Sequence, residues 1–234
     1  MTISSKNEFC RARTEEQRQQ RRTHILGITK EMLQDRRLAD LSFNEIAKRV
    51  GLAKSNIMRY FDSRESILLT LLLAEYDDWV KEVEYALENR NNTPPVELLS
   101  EVLSSTIMAR SLMCELLSAA PMVLEHNVST EEIIKFKLSI QTSIRRLMTI
   151  ISSYLGEWDA IKTGIFVSEF HACVTHTWSL VNPSPALKTA YITCPDIAVL
   201  SFPAHIVVRE TIATLIVGLN YRQPNWDANS HFKK

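Results

Sequence analysis

The stretch SFNEIAKRVGLAKSNIMRYFDSRESI, from Ser42 to Ile67, decides the fold of this chain. Its first half has apolar residues at i, i+3, i+4 and i+7, the spacing of a stripe along one side of an amphipathic helix. These residues are Phe43, Ile46, Ala47 and Val50. Gly51 follows at the point where a helix end needs a residue that tolerates a positive φ. The pattern predicts a short helix that ends at Val50.

A second short helix is predicted from about Lys54 to Phe61, with Ile57 and Phe61 facing inward. The small side chain of Ala47 lets the two helices approach closely at a steep angle. A small residue, a turn glycine and an aliphatic anchor at this spacing are typical of a DNA-reading helix-turn-helix. The segment is therefore interpreted as a DNA-binding element.

Placing the second helix on a helical wheel gives candidate DNA contacts. If Ile57 and Phe61 face the core, the residues that point away from it are Lys54, Ser55, Asn56 and Arg59. Asn suits adenine, Arg suits guanine and Ser suits either base edge in a major groove. The alternative is an ordinary solvated polar face, since many surface helices have one.

With these features the segment from Ser42 to Ile67 resembles the DNA-binding domain of the TetR (tetracycline-repressor-like) family of bacterial transcriptional regulators. The matching sequence motifs are EIAKRVGLAKSNIMRYF and DSRESIL, and the close match covers about Ile25 to Leu73. The resemblance implies that Lys54, Ser55 and Asn56 occupy base-reading positions. It also implies that Ser42, Tyr60 and Arg64 occupy phosphate-contacting positions.

Two residues depart from the pattern of that family. Met58 stands where a phosphate-contacting tyrosine is usual, and Met cannot donate that hydrogen bond. Ala53 stands where a residue able to cap the recognition helix is frequent, and Ala is a poor N-cap. They are the sequence support for an alternative, a helical small-molecule-binding or interaction protein with a vestigial DNA-binding head.

Charge is unevenly distributed along a chain whose formal net charge is zero. Residues 1–64 contain 14 Lys and Arg against 8 Asp and Glu, so they carry a net charge of +6 and the remainder carries −6. A basic head on an acidic body suits nucleic-acid binding, although a chance fluctuation accounts for the split equally well. The polar N-terminus, the scattered cysteines and the lack of a long uninterrupted apolar run predict a cytoplasmic location and no membrane span.

The order of the chain predicts an all-α protein of two domains. Residues 1–21 are interpreted as a flexible basic arm, either a solvated tail or one that contacts DNA. The helix-turn-helix domain is assigned to 22–66, a helical effector-binding and dimerisation domain to 67–222, and a tail to 223–234. Predicted helices of the larger domain follow a long helix from Arg64 to about Glu88 and cover 95–109, 111–119, 130–154, 157–181 and 203–219. Residues 182–201 are predicted to form a long loop with room for one turn of helix inside it.

The sequence contains no catalytic or metal-binding motif, which argues against an enzyme and predicts no cofactor and no metal. Met and aromatic residues of the body suit an adaptable apolar pocket, although each fits an ordinary core as well. The candidates are Trp79, Met108, Met113, Phe136, Phe166 and Phe170. The family resemblance implies a cavity for a small, partly apolar effector in this domain without saying which side chains line it.

The helices predicted at 157–181 and 203–219 have apolar residues beyond a single stripe, which indicates burial on more than one side. They suggest a homodimer joined by a four-helix interface, the arrangement common in the resembled family. A two-fold dimer presents two recognition helices to successive major grooves, so the expected operator is near-palindromic double-stranded DNA. The expected function is that of a DNA-binding transcriptional regulator, specifically a ligand-responsive repressor.

Overall fold

The computed structural model describes residues 15–88, 94–156, 158–197 and 203–222. Within these ranges all regular structure is helical and no strand occurs, which confirms the all-α fold class. The helices are α1 (Glu15–Asp35), α2 (Phe43–Val50), α3 (Lys54–Ile57), α4 (Arg64–Glu88), α5 (Pro95–Met108), α6 (Ser111–Ala119), α7 (Thr130–Tyr154), α8 (Ala160–Val181), α9 (Pro185–Thr193) and α10 (Ala204–Tyr221).

The chain divides into two compact units between Leu71 and Leu72, a point that lies inside α4. The sequence placed the domain boundary five residues earlier, between 66 and 67. The difference arises because the first two turns of α4 belong to the core of the N-terminal unit. Ile67 and Leu68 are fully buried there.

Local sequence signals explain the helix ends of the N-terminal unit. The backbone N–H of Glu45 donates to the hydroxyl of Ser42, and the carboxylate of Glu45 accepts from the backbone N–H of Ser42, so that α2 begins with a capping box. Gly51 ends α2 with φ = 75°, the left-handed conformation that the sequence predicted for it. The hydroxyl of Ser63 accepts from the N–H of Ser66 and so caps the start of α4.

The first helix starts earlier than the sequence predicted. Residues 15–21, which were assigned to a flexible arm, form the first turns of α1, while residues 1–14 lie outside the described part of the chain. Glu15 and Glu16 occupy the first turn, where acidic side chains complement the helix dipole. The buried side of α1 includes Ile25 and Leu33.

The C-terminal unit is a bundle in which α10 packs against α5 and α8, and α8 also packs against α6 and α7. Its core contains a column of aromatic rings. The ring centroids of Trp79 and Phe170 lie 5.9 Å apart, those of Phe170 and Phe166 lie 6.4 Å apart, and those of Phe166 and Trp158 lie 5.8 Å apart. The helices predicted here agree with the observed ones to within a few residues.

The C-terminal part of the chain differs from the sequence-based prediction at α9 and at the start of α8. The interval 182–201 is not a plain loop, because it contains α9 and a 3-10 turn at Pro195–Ile197. The predicted helix at 157–181 begins only at Ala160, where Asp159 caps it by accepting from the N–H of Lys162. The predicted tail, 223–234, lies outside the described residues.

Among the described residues no single helix is long and apolar enough to cross a membrane. Within the same described ranges the pair α5 and α6, bent by 85° at their junction, has the length and composition of a span when the two are taken together. Much of α5 is buried in the bundle, including Leu98, Leu99 and Leu103, as expected of a core helix.

Candidate nucleic-acid interface

The recognition segment is anchored by two buried side chains and presents polar ones. Ile57 is fully buried and Phe61 is 3% exposed, whereas Lys54, Ser55 and Asn56 are all exposed. The structure therefore brings the three predicted base-reading residues together on the outer side of α3. The ammonium group of Lys54 also lies 5.9 Å from the centroid of the Phe43 ring, which directs it back toward the start of α2.

The helix α3 is shorter than the sequence predicted. It covers only Lys54–Ile57 and gives way to a turn over residues 58–60, so the expected extension to Phe61 is wrong. The N–H of Tyr60 donates to the carbonyl of Ile57 at 2.8 Å, the tighter pattern that often closes a helix. At the other end Ala53 has an extended backbone and makes no side-chain cap, as its residue type predicted.

Arg59 and Met58 lie in the turn after α3 rather than on the helix itself. Arg59 is exposed, which leaves its guanidinium facing solvent as the wheel predicted. Met58 is 50% exposed, a large fraction for an apolar side chain. At that position the chain offers a nucleic acid an apolar contact without a hydrogen-bond donor.

Two of the residues expected to contact phosphates already have partners within the N-terminal unit. The hydroxyl of Ser42 donates to the carboxylate of Glu45 at 2.8 Å. The guanidinium of Arg64 donates through Nη1 to the carbonyl oxygen of Leu41 at 2.8 Å and pairs with the carboxylate of Glu65. Arg64 thus links the start of α4 to the turn that precedes α2, while its other N–H groups are able to serve an outside acceptor.

Tyr60, the third expected phosphate contact, is partly exposed. Its carbonyl oxygen accepts a hydrogen bond from Nη1 of Arg22 in α1, and the guanidinium carbon of Arg22 lies 4.2 Å from the centroid of the Phe61 ring. Sequence reasoning missed this contact, although it placed Arg22 at the first position of the helix-turn-helix domain. The only local signal was its position three residues before the buried Ile25.

Family models match nearly the whole described chain. Residues 25–71 match the model of the bacterial regulatory proteins of the tetR family, and residues 73–223 match a tetracyclin repressor-like C-terminal domain. The chain belongs to the TetR family. Members of this family are DNA-binding transcriptional regulators that typically act as dimers on operator DNA, and they are not enzymes.

Individual relatives agree with this assignment. The chain is 37% identical over 70 residues to the HTH-type transcriptional regulator EthR of Mycobacterium tuberculosis, a match covering 30% of this chain and 31% of EthR. The chain thus spans about a third of the length of the curated relative it matches. A TetR transcriptional regulator from Rhodococcus sp. RHA1 shares the fold at 16% identity, with a TM-score of 0.51 over 86% of this chain and 98% of that one.

The C-terminal unit of this TetR-family chain places the six candidate pocket residues in different environments. Trp79, Phe166 and Phe170 belong to the aromatic column, and all three are fully buried. Met113 is also fully buried, Phe136 lies at the edge of the core with 9% exposure, and Met108 is partly exposed. The structure brings three of the six together by ring stacking and does not gather all of them around one space.

A cleft of about 420 Å³ lies elsewhere in the same unit. It is open to solvent and is formed by α7, the start of α8 and the segment between them. Its lining residues are Arg145, Met148, Thr149, Ser152, Ser153, Trp158, Ala160 and Thr163. None of the six candidate side chains lines this cleft.

A polar pair beside the aromatic column, formed by the fully buried Tyr76 and the half-buried His171, was not predicted. The hydroxyl of Tyr76 and Nε2 of His171 lie 2.9 Å apart, and the ring of His171 lies 5.3 Å from that of Phe170. Desolvation raises the pKa of Tyr76 and lowers the pKa of His171 to about 4, so the imidazole is neutral at pH 7. The pair joins α4 to α8 by a hydrogen bond between neutral groups. Among the described residues no group of His, Cys, Asp and Glu could hold a metal ion.

Proposed function

We propose that this TetR-family regulator is a repressor that reads its operator through Lys54, Ser55 and Asn56. The observation that carries the proposal is the exposed polar side of α3 directly above the buried anchors Ile57 and Phe61. Short polar and cationic side chains on a helix that is anchored in the core suit contacts with base edges and phosphates in a major groove. The resemblance assigns Ser42, Tyr60 and Arg64 to the phosphate backbone, and Arg59, exposed in the turn after α3, is a further candidate DNA contact. A repressor of this kind works in the cytoplasm, where its operator is.

The experiment that tests this proposal begins with selection of duplexes from a random DNA pool at two salt concentrations. The wild-type chain should select a consensus, with an affinity that falls steeply as salt rises. Lys54→Ala and Asn56→Ala should each weaken binding to the selected duplex by about tenfold. The matched controls are Lys30→Ala and Gln34→Ala, two exposed residues of α1, which should leave affinity unchanged. Equal effects of the test and control substitutions would contradict the proposed contacts.

The regulator is further proposed to be a homodimer joined through α8 and α10. Both helices carry apolar side chains that remain solvent-exposed in a single chain, among them Leu180, Val217 and Tyr221, at 50%, 57% and 90% exposure. Covering such side chains is the usual driving force for association. A two-fold dimer presents two recognition segments to a near-palindromic operator. Light scattering should give twice the chain mass, and Val217→Asp should reduce that mass.

The proposed ligand is a small, partly apolar molecule that binds in the C-terminal unit and lowers operator affinity. The apolar and aromatic core of this unit supports this chemistry, because ligand pockets are lined mainly by hydrophobic and aromatic side chains. Because Trp79 belongs to the column, a ligand inserted there should change tryptophan fluorescence, and Trp79→Phe should remove much of that change. A ligand can shift the regulator only by binding its two states with different affinities.

The alternative function is a helical binding protein with a vestigial DNA-binding head, favoured by Met58 and the uncapped Ala53. It predicts weak binding without a consensus in the same selection experiment. A consensus sequence with a steep salt dependence would exclude it.

A further inference from the structure

We propose that Arg22 is a positioning residue for DNA recognition, which fixes the end of the recognition segment from α1 and does not itself contact DNA. The inference rests on the DNA-binding role proposed above and adds a residue that neither the resemblance nor the wheel assigns. Its basis is the pair of contacts that Arg22 makes with Tyr60 and Phe61, which lie 38 and 39 residues further along the chain.

The recognition segment needs such support because it has little stability of its own. The helix α3 contains four residues and has no side-chain cap at its start. A helix of this length does not hold its shape by its own hydrogen bonds, so tertiary contacts must orient it. Ile57 and Phe61 anchor one side of the segment in the core. Neither anchor supplies a partner for the carbonyl group that ends the segment.

Arg22 supplies both a tertiary contact and a hydrogen-bond partner at the end of the recognition segment. Its Nη1 donates to the carbonyl oxygen of Tyr60, an acceptor at the point where helical hydrogen bonding stops. Its guanidinium lies over the ring of Phe61 at 4.2 Å from the centroid, a distance that suits a cation–π contact. The planar group therefore covers one anchor and holds the adjacent backbone at the same time.

The early start of α1 makes this contact rigid. Because the helix begins at Glu15, Arg22 lies about two turns inside it and its backbone is fixed. The side chain is also partly buried, which limits its freedom to reach outward. In a flexible arm the same arginine would be free to follow a phosphate. In a helix beside a buried isoleucine it is directed at the recognition segment.

The first test uses the protein without DNA and measures amide hydrogen exchange in the wild type, in Arg22→Ala and in Arg22→Gln. In the alanine variant the amides of residues 57–61 should exchange faster than in the wild type. The exchange rates in α5 and α10 of the other unit should be unchanged. The glutamine variant keeps an N–H donor for the carbonyl of Tyr60 and should retain part of the protection. Unchanged exchange in residues 57–61 of a folded Arg22→Ala would overturn the proposal whether or not the chain binds DNA.

The second test measures affinity for a duplex selected by the wild-type chain and for a scrambled duplex of equal length, across a salt series. A positioning role predicts that Arg22→Ala weakens binding to the selected duplex by about tenfold. It also predicts that the salt slope and the affinity for the scrambled duplex stay unchanged. A phosphate contact would instead lower the salt slope by about 0.9 and weaken both duplexes alike, and that result would refute the proposal.

Arg18→Ala is the matched control, because Arg18 lies one turn earlier on α1, is exposed and carries the same charge. It should leave exchange in residues 57–61 at the wild-type rate. A wild-type chain that selects no consensus would count against the proposed function alone, since the exchange experiment still decides the role of Arg22.

Discussion

Replacing Gly51 by alanine should destabilise the N-terminal unit, whereas the same replacement at Gly27 should stabilise it. Gly51 has φ = 75° at the end of α2, and Gly27 lies inside α1 with helical geometry. A Cβ added at either position would meet no atom within 4 Å. Steric contacts with neighbours therefore contribute to neither change, and the backbone conformation alone decides the sign.

The magnitudes follow from the two conformations. An alanine in the left-handed region costs about 1–2 kcal/mol, of which the lower entropy of the unfolded chain returns about 0.4–1 kcal/mol. Gly51→Ala should therefore lower the free energy of unfolding by about 1 kcal/mol. In a helix interior alanine is favoured over glycine by about 0.5–1 kcal/mol, so Gly27→Ala should raise it by that amount. The two variants should differ by about 1.5–2 kcal/mol.

Urea denaturation followed by two optical signals measures this difference. All four tryptophans lie beyond residue 71, so their fluorescence reports the C-terminal unit, whereas far-UV circular dichroism reports helices of both units. The dichroism transition of Gly51→Ala should move to lower urea and that of Gly27→Ala to higher urea. Shifts of the same sign in both variants, or no shift for Gly51→Ala, would refute the reasoning.

Three further predictions concern a cap, a titrating group and a thiol. Ser42→Ala removes the capping box that Ser42 forms with Glu45 and should lower the free energy of unfolding by about 1 kcal/mol in urea titrations. His171 has a pKa lowered to about 4 in the folded chain, so the folded state favours the neutral ring. The contribution of this group to the free energy of unfolding should be constant above pH 6.5 and fall by up to about 3 kcal/mol as pH drops to 4. In thermal unfolding, His171→Gln should reduce the loss of stability between pH 6.5 and pH 4. An unchanged loss in this variant would contradict the assignment of the effect to His171. Burial raises the pKa of the Cys114 thiol to about 12, so mass spectrometry after brief maleimide treatment should find the exposed Cys194 labelled and Cys114 intact.

The helix-turn-helix was predictable because its signals are local. Gly51, the apolar stripe of α2 and the anchor Ile57 lie within the fifteen residues 43–57, and each points to a single conformation. The exposed residues of α3 followed from the anchors by geometry alone. The early end of α3 at Ile57 could not be predicted in this way, because nothing in the sequence of residues 58–60 favours a turn over a continued helix.

Features that depend on distant pairing could not be read from the sequence. The contact between Arg22 and Tyr60 joins residues 38 positions apart, and the bond between Tyr76 and His171 spans 95 positions. The identity of the stacked rings, Trp79 with Phe170, likewise depends on how α4 and α8 pack. Helix α9 was missed for a different reason: it has no buried residue, so the apolar periodicity that reveals a helix is weak there.

That lack of burial makes α9 a natural site for cutting or insertion. A protease that cleaves within Pro185–Thr193 removes no side chain from the core, because the helix has none to remove. The fragment carrying α10 should then stay bound, held by its packing against α5 and α8 with Val208, Ile212 and Ile216 buried. The nicked protein should behave as an intact one until denaturant separates its two pieces. A fluorescent tag or an affinity peptide inserted into α9 should be tolerated for the same reason.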